Sequence, residues 1–141
     1  MFKHILVATD FAEPSERAVA LAVELAKSFG AELTVVHAYE IPAYVYAGVS
    51  FTPADLVTPV IDGAREALAS VLARVRESVP NATSMLRNGD PATEILTAID
   101  QAHADLLVVG THGRRGLPHA LLGSVAEKIV RLARVAVLVA R

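Results

Sequence analysis

The chain alternates between short unbroken apolar runs and longer stretches with a helical period. Ile5-Leu6-Val7-Ala8 is the first run, closed by Thr9-Asp10. Leu33-Thr34-Val35-Val36-His37-Ala38 is the second, and Thr83 to Leu86 is a weaker third. Leu106-Leu107-Val108-Val109, closed by Gly110, is the fourth, and Val135-Ala136-Val137-Leu138-Val139 is the fifth. Unbroken runs rich in β-branched residues suit strands buried on both faces, as in a parallel sheet covered by helices on each side.

Between the runs, apolar residues recur every three to four positions. A first helix is predicted over about 15–29, with Ala18, Leu21, Ala22, Leu25 and Ala26 on one face and Gly30 as its stop. A second is predicted over about 53–79, striped by Leu68, Val71, Leu72 and Val75. Pro59 and Gly63 are expected to break or kink its start, and Pro80 to end it. A third spans about 91–102, with Pro91 in its first turn and Ile95, Leu96 and Ile99 turned inward. A fourth spans about 124–133, apolar at Val125, Ile129, Val130 and Leu132. The order β-α-β-α-β-α-β-α-β predicts an α/β fold: one parallel sheet, right-handed crossovers, helices on both faces. The one long irregular stretch, 40–52, carries Tyr44, Tyr46 and Phe51, which are expected to cover part of the sheet end.

Size and composition agree with that picture. A chain of 141 residues fits one domain, 1–141. With 53% hydrophobic residues and a mean hydropathy of +0.44 it can fill a core, which argues against disorder. Charged residues make up 20%, and no apolar run approaches the roughly 18 needed to span a bilayer. The N-terminus enters a strand at once, without the pattern of a signal peptide, and there is no cysteine to oxidise. A cytoplasmic protein is the expectation. A net charge of −2 leaves no general basic footprint for nucleic acid.

In open parallel sheets, ligands sit beyond the carboxyl ends of the strands, where the strand order reverses. Two segments here carry suitable chemistry. One is Ala8-Thr9-Asp10-Phe11, a carboxylate just past the first strand. The other is Gly110-Thr111-His112-Gly113-Arg114-Arg115-Gly116 after the fourth strand, continued by Leu122-Gly123-Ser124 at a helix start. Glycines let a backbone approach an anion and turn its N–H groups toward it. Ser124 stands where a helix N-cap is expected, and the helix dipole there favours negative charge. Arg114 and Arg115 add cations. A glycine-rich turn with an ordinary serine cap would show the same residues, and Asp10 would look the same as a plain helix-start carboxylate. No G-x-x-x-x-G-K-[ST] is present, and no G-x-G-x-x-G follows the first strand, so neither a P-loop nor a dinucleotide fingerprint applies.

The spacing Gly110-x2-Gly113-x9-Gly123-Ser124 resembles the nucleotide-binding signature of the universal stress protein family. Ile5 to Asp10 and Val35 to Ala38 resemble that family's first two strands, and the resemblance covers the whole chain. It implies a five-stranded parallel sheet in order 3-2-1-4-5, Rossmann-like and of the adenine nucleotide α-hydrolase-like kind. It also implies an adenine nucleotide, ATP or AMP, with Mg2+ accompanying ATP. By the same resemblance, Asp10 and Gly110 hold the ribose and the backbone near Ala38 reads the adenine edge. Gly113, Gly123, Ser124 and Val125 hold the phosphates, and Val109 and Arg114 join the site. Ala8 departs from the pattern, since many ATP-binding members have proline there.

The remaining residues read more plainly. His37 is expected to be structural, His4, His103 and His119 to lie on the surface or pack, and Arg74-Val75-Arg76 to be a solvated helix face. No general base or loop lysine is poised for phosphoryl transfer. A nucleotide-dependent stress or signalling module is therefore the first reading. A slow ATP hydrolase or other ATP-using enzyme is an alternative, and a nucleotide-independent assembly module another. The last strand, Val135 to Ala140, is expected at a sheet edge, where it would join a homodimer.

Overall fold

Alternate residues of one strand point to opposite faces of a sheet. In the computed structural model, which describes residues 1–42, 53–111 and 122–141, this alternation sorts the apolar runs into two cores. The strands are β1 (His4–Ala8), β2 (Glu32–Tyr39), β3 (Thr83–Asn88), β4 (Leu106–Gly110) and β5 (Ala136–Ala140). The helices are α1 (Glu13–Phe29), α2 (Pro53–Arg76), α3 (Pro91–Ala102) and α4 (Ser124–Leu132). The sheet order is β3-β2-β1-β4-β5, every pairing is parallel, and strand order reverses at β1. The order and the two-sided helical cover match the expectation.

Ile5, Val7, Leu33, Val35, Leu106 and Val108 pack against Ala18 and Ala22 of α1 and Leu68 and Val71 of α2. Leu6, Val36, Leu107 and Val109 pack on the other face against Ile95 and Ile99 of α3 and Ala126 and Ile129 of α4. β1 therefore lies buried on both sides, as its unbroken apolar run requires. α1 ends at Gly30, which takes φ 62. At the far end of the sheet, Asp105 accepts the N–H groups of Lys3 and His4, tying β1 to the start of β4. His4 also bonds Thr34 through Nε2, and His103 closes α3.

Three expectations change. α2 runs unbroken through Pro59 and Gly63 and stops at Arg76, short of Pro80. An interior proline costs about 3 kcal/mol, but the later turns of this helix are anchored by Leu68, Val71 and Val75. Arg74-Val75-Arg76 is a solvated face only in part: both arginines are exposed, as expected, but each is engaged. Val75 is buried, Arg74 makes a two-pronged ion pair with Glu16 of α1, and Arg76 Nε donates to the Ala82 carbonyl. On α4 only Ala126 and Ile129 are buried, while Val125, Val130 and Leu132 are exposed, because a helix beside an edge strand meets the core along a narrow stripe. No described helix is long and apolar enough to cross a membrane.

Candidate functional site

The β1–α1 turn is built from its own polar side chains. Thr9 N–H donates to the Val36 carbonyl, extending the pairing of β1 with β2 by one residue. Phe11 then adopts φ 68, a left-handed conformation that costs a non-glycine residue about 1–2 kcal/mol. The surroundings hold it there. Phe11 N–H donates to Thr9 Oγ1, Ala12 N–H donates to Asp10 Oδ1, and the Phe11 ring lies 4.3 Å from the His37 ring. His37 Nδ1 sits 2.7 Å from the Thr9 carbonyl, which can only accept, so Nδ1 carries the proton. His37 is buried, and this bond makes it a structural tie between β2 and the turn. The N-cap of α1 is Ala12, so Asp10 stands two residues ahead of the cap. Its carboxylate serves the turn and receives the Ser15 hydroxyl at 2.8 Å.

Gly110 closes β4 beside this turn. A Cβ on Gly110 would stand 2.8 Å from the Pro14 carbonyl carbon and oxygen and 3.1 Å from Ser15 N. No side chain fits, because the first turn of α1 occupies that space. The next residue, Thr111, is buried, and its carbonyl accepts the Gly123 N–H at 2.7 Å. Asp10, Gly110 and Gly123 are thus drawn together at the carboxyl ends of neighbouring strands, through Ser15 and Thr111.

The start of α4 corrects one expectation. The N-cap is Gly123, not Ser124: the Gly123 carbonyl accepts the Glu127 N–H at 2.9 Å, so the helix closes one residue earlier. Ser124 is the first helical residue and is exposed, as is Val125. Glycine has no side chain with which to cap, so its helix begins with amides that the cap residue leaves unanswered. Ala38 lies half-buried near the end of β2. Val109 turns its side chain into the α3–α4 core and can offer a ligand only backbone. Gly113, Arg114, Arg115, His112, His119, Tyr44, Tyr46 and Phe51 lie outside the described residues.

α3 starts at the same end of the sheet with the opposite construction. Asp90 caps it, accepting Thr93 N–H at 3.0 Å and Thr93 Oγ1 at 2.7 Å, with Lys128 Nζ at 3.3 Å. The Thr93 hydroxyl and amide, then Lys128, hold the Asp90 carboxyl below its ordinary value of 3.8.

Two hollows among the described residues lie elsewhere. One, about 430 Å3, is walled by Leu68 and Leu72 of α2 and by Ser84 and Leu86 of β3. The other, about 400 Å3, runs between α3 and α4 past Leu96 and Leu132. Neither touches Asp10, Gly110 or Gly123. Arg65 is on the wall of the first, and Lys128 and Arg134 are on that of the second, but neither hollow holds a member of the spaced glycine-serine motif, so neither displaces the mouth of β1 and β4 as the candidate.

Thr9, Phe11 and Thr111 fall within the two segments named from the sequence but carry no role there, and Ser15 falls outside both, yet these four hold the site together. A hydroxyl at the third helical position, five residues after Asp10, was the one available signal for Ser15. A left-handed phenylalanine has none.

A family model described as "Universal stress protein family" matches residues 1–141. A universal stress protein of Thermus aquaticus, encoded in the QAH/OAS sulfhydrylase 3' region, is 38% identical over the full length of both chains. Universal stress protein YxiE of Bacillus subtilis is 30% identical, again over the whole of both. Among solved structures, universal stress protein UspA from Lactobacillus plantarum superposes with a TM-score of 0.79 at 26% identity, covering 99% of this chain and 97% of that one. A universal stress protein solved in complex with cAMP (TM-score 0.76, 24% identical, covering 99% and 97%) has the same fold. So does one from Archaeoglobus fulgidus in complex with dAMP (TM-score 0.68, 22% identical, covering 99% and 98%). With a full-length family match and full-length relatives in hand, the chain belongs to the universal stress protein family.

Proposed function

We propose that this chain is a binding module that seats an adenine nucleotide, ATP or AMP, at the mouth of β1 and β4. The observation that carries the reading is that Gly110, Gly123 and Ser124, three members of the spaced glycine-serine motif, converge with Asp10 where strand order reverses. In this reading Asp10 and Gly110 hold the ribose, and the backbone near Ala38 reads the adenine edge. Gly113, Gly123, Ser124 and Val125 hold the phosphates, and Arg114 and the backbone at Val109 join the site. The glycine-capped α4 fits the group, since its first-turn amides and dipole suit an anion. Relatives of the same fold solved with cAMP and dAMP supply support by analogy of fold. Among the described residues no three His, Asp or Glu side chains converge on a metal position, so Mg2+ would arrive with the triphosphate.

The same reading makes the protein a cytoplasmic stress-response or signalling module, in which occupancy rather than turnover is the output. Calorimetry with ATP, ADP and AMP at millimolar ligand, with and without Mg2+, should show binding. Gly113→Val should abolish it while leaving far-ultraviolet circular dichroism unchanged. Absence of binding in the wild-type chain would sink the proposal.

The β5 edge supports a homodimer. Leu138 on that strand and Val130 and Leu132 on the adjacent helix are exposed, and an open parallel edge invites a second copy. Light scattering at micromolar concentration should give twice the chain mass, and a monomer mass would count against it.

A further inference from the structure

Ser15 is buried at 5% exposure, yet it bears a hydroxyl surrounded by polar atoms. Asp10 N–H donates to its Oγ at 3.2 Å, and the Thr9 hydroxyl lies at 3.1 Å. Two acceptors compete for its single proton: Asp10 Oδ1 at 2.8 Å and the Ala12 carbonyl at 2.9 Å. The Ala12 carbonyl already has the Glu16 N–H at 3.1 Å as its helical partner. A carboxylate oxygen is also the stronger acceptor, since a bond to an ionised group is worth about twice a neutral one. The proton therefore goes to Asp10. The Ser15 oxygen, in turn, accepts from the Asp10 amide and, in the consistent arrangement, from the Thr9 hydroxyl.

The same residue also borders Gly110. Its backbone N stands 3.1 Å from where a Cβ of Gly110 would be. Ser15 thus bonds one of the groups that the nucleotide reading assigns to the ribose and stands beside the other, in the space a side chain there would need.

We infer that Ser15 is a positioning residue: its hydroxyl sets the Asp10 carboxylate against the end of β4 so that the carboxylate can receive the ribose hydroxyls, without Ser15 touching the nucleotide. The inference rests on the proposed nucleotide site. Asp10 Oδ1 receives both the Ala12 amide and the Ser15 hydroxyl. Loss of the Ser15 bond loosens the side chain about its terminal torsion, which is broad and shallow for aspartate. Affinity that depends on ribose hydroxyls should then fall, and affinity that does not should stay.

The experiment compares ATP with 2′,3′-dideoxy-ATP by calorimetry in the wild-type chain, Ser15→Ala, Asp10→Asn, the double variant and Thr9→Val. Ser15→Ala should lower ATP affinity roughly tenfold, the scale of a hydrogen bond to a charged group, and leave dideoxy-ATP affinity unchanged. Asp10→Asn should lower ATP affinity at least as much, and the double variant should be no worse than Asp10→Asn alone. Thr9→Val, nearly isosteric, should give a smaller loss of the same ribose-dependent kind. It also serves as the second test if Ser15→Ala does not fold. Equal losses for both ligands, or additive effects of Ser15→Ala and Asp10→Asn, would overturn the role of Ser15 while leaving the nucleotide site standing. A wild-type chain that binds neither ligand would overturn both.

Discussion

α3 and α4 begin at the same end of the same sheet and on the same face, yet their first turns are built in opposite ways. α3 answers its own amides: Asp90 accepts the Thr93 N–H and hydroxyl, and Pro91 removes an amide that would otherwise need a partner. α4 is capped by Gly123, which has no side chain, and its first helical residue is an exposed serine. A helix start that completes itself is a stability device. A helix start whose cap has no side-chain bond is, in the proposed reading, a place for an outside acceptor, and α4 sits beside Asp10 and Gly110 through the Thr111–Gly123 bond. Glycine at an N-cap costs only a few tenths of a kcal/mol relative to serine or aspartate, so the fold gives up little by capping α4 without a side chain.

Making α4 resemble α3 should produce the largest effect. Ser124→Asp places a carboxylate on an exposed first-turn position. It should raise stability by about 0.3–1 kcal/mol through the helix dipole. It should also lower the affinity for ATP by more than about tenfold, because a fixed negative charge would face the phosphates. Chemical denaturation and calorimetry on one preparation read both. A variant that gains stability and keeps its affinity would show that α4 is an ordinary helix start and that the phosphates lie elsewhere.

Removing the device from α3 should do the reverse. Asp90→Ala should cost about 1 kcal/mol of stability and leave nucleotide affinity unchanged. The pH dependence carries a sign. The Asp90 carboxyl is held below its ordinary value, so the folded chain binds fewer protons than the unfolded one in that range. Its stabilising contribution is complete above the ordinary value of 3.8 and is lost as pH falls through the lower folded value. Denaturation midpoints of wild type and Asp90→Ala should therefore differ at neutral pH and converge in acid. A gap that persists below that range would mean the cap is not acting through its charge.

Much of this architecture was legible in the chain because burial on both faces leaves a direct mark. Ile5 to Ala8 and Leu106 to Val109 could be read as central strands since no polar residue interrupts them, and Pro91 fixed the first residue of α3. The strand order came from resemblance, since apolar runs carry no information about neighbours. Ser124 was read as a cap from its residue type, but which carbonyl closes the first helical turn is decided by the preceding backbone, here Gly123 held by Thr111. The Arg74 ion pair was hidden for a similar reason: Glu16 lies 58 positions away, and only the fold brings the two helices together. The Asp10 turn was half legible. Its carboxylate stood out after a strand, whereas the left-handed Phe11 and the reach of Ser15 depend on His37, Thr9 and Pro14 meeting in three dimensions.

The smallest effect, and the finest test of whether α3 is self-sufficient, lies in Lys128. It extends from α4 to Asp90 Oδ2 at 3.3 Å and Thr93 Oγ1 at 3.4 Å, so the two helix starts are not wholly independent. Both members of the ion pair are exposed by more than a third, at 39% and 53% of their side chains, so water and salt screen it. Lys128→Met keeps the stem and removes the charge. It should cost less than about 1 kcal/mol, with the cost shrinking as salt is added. It should also let the Asp90 carboxyl rise toward its ordinary value, though by less than Thr93→Val does, since the Thr93 hydroxyl is the larger cause of its depression. Carboxyl titration by nuclear magnetic resonance reads both shifts. If Lys128→Met cost more stability than Asp90→Ala, α3 would depend on α4 for its first turn. The contrast between a closed and an open helix start would then give way to a single charge network shared by the two.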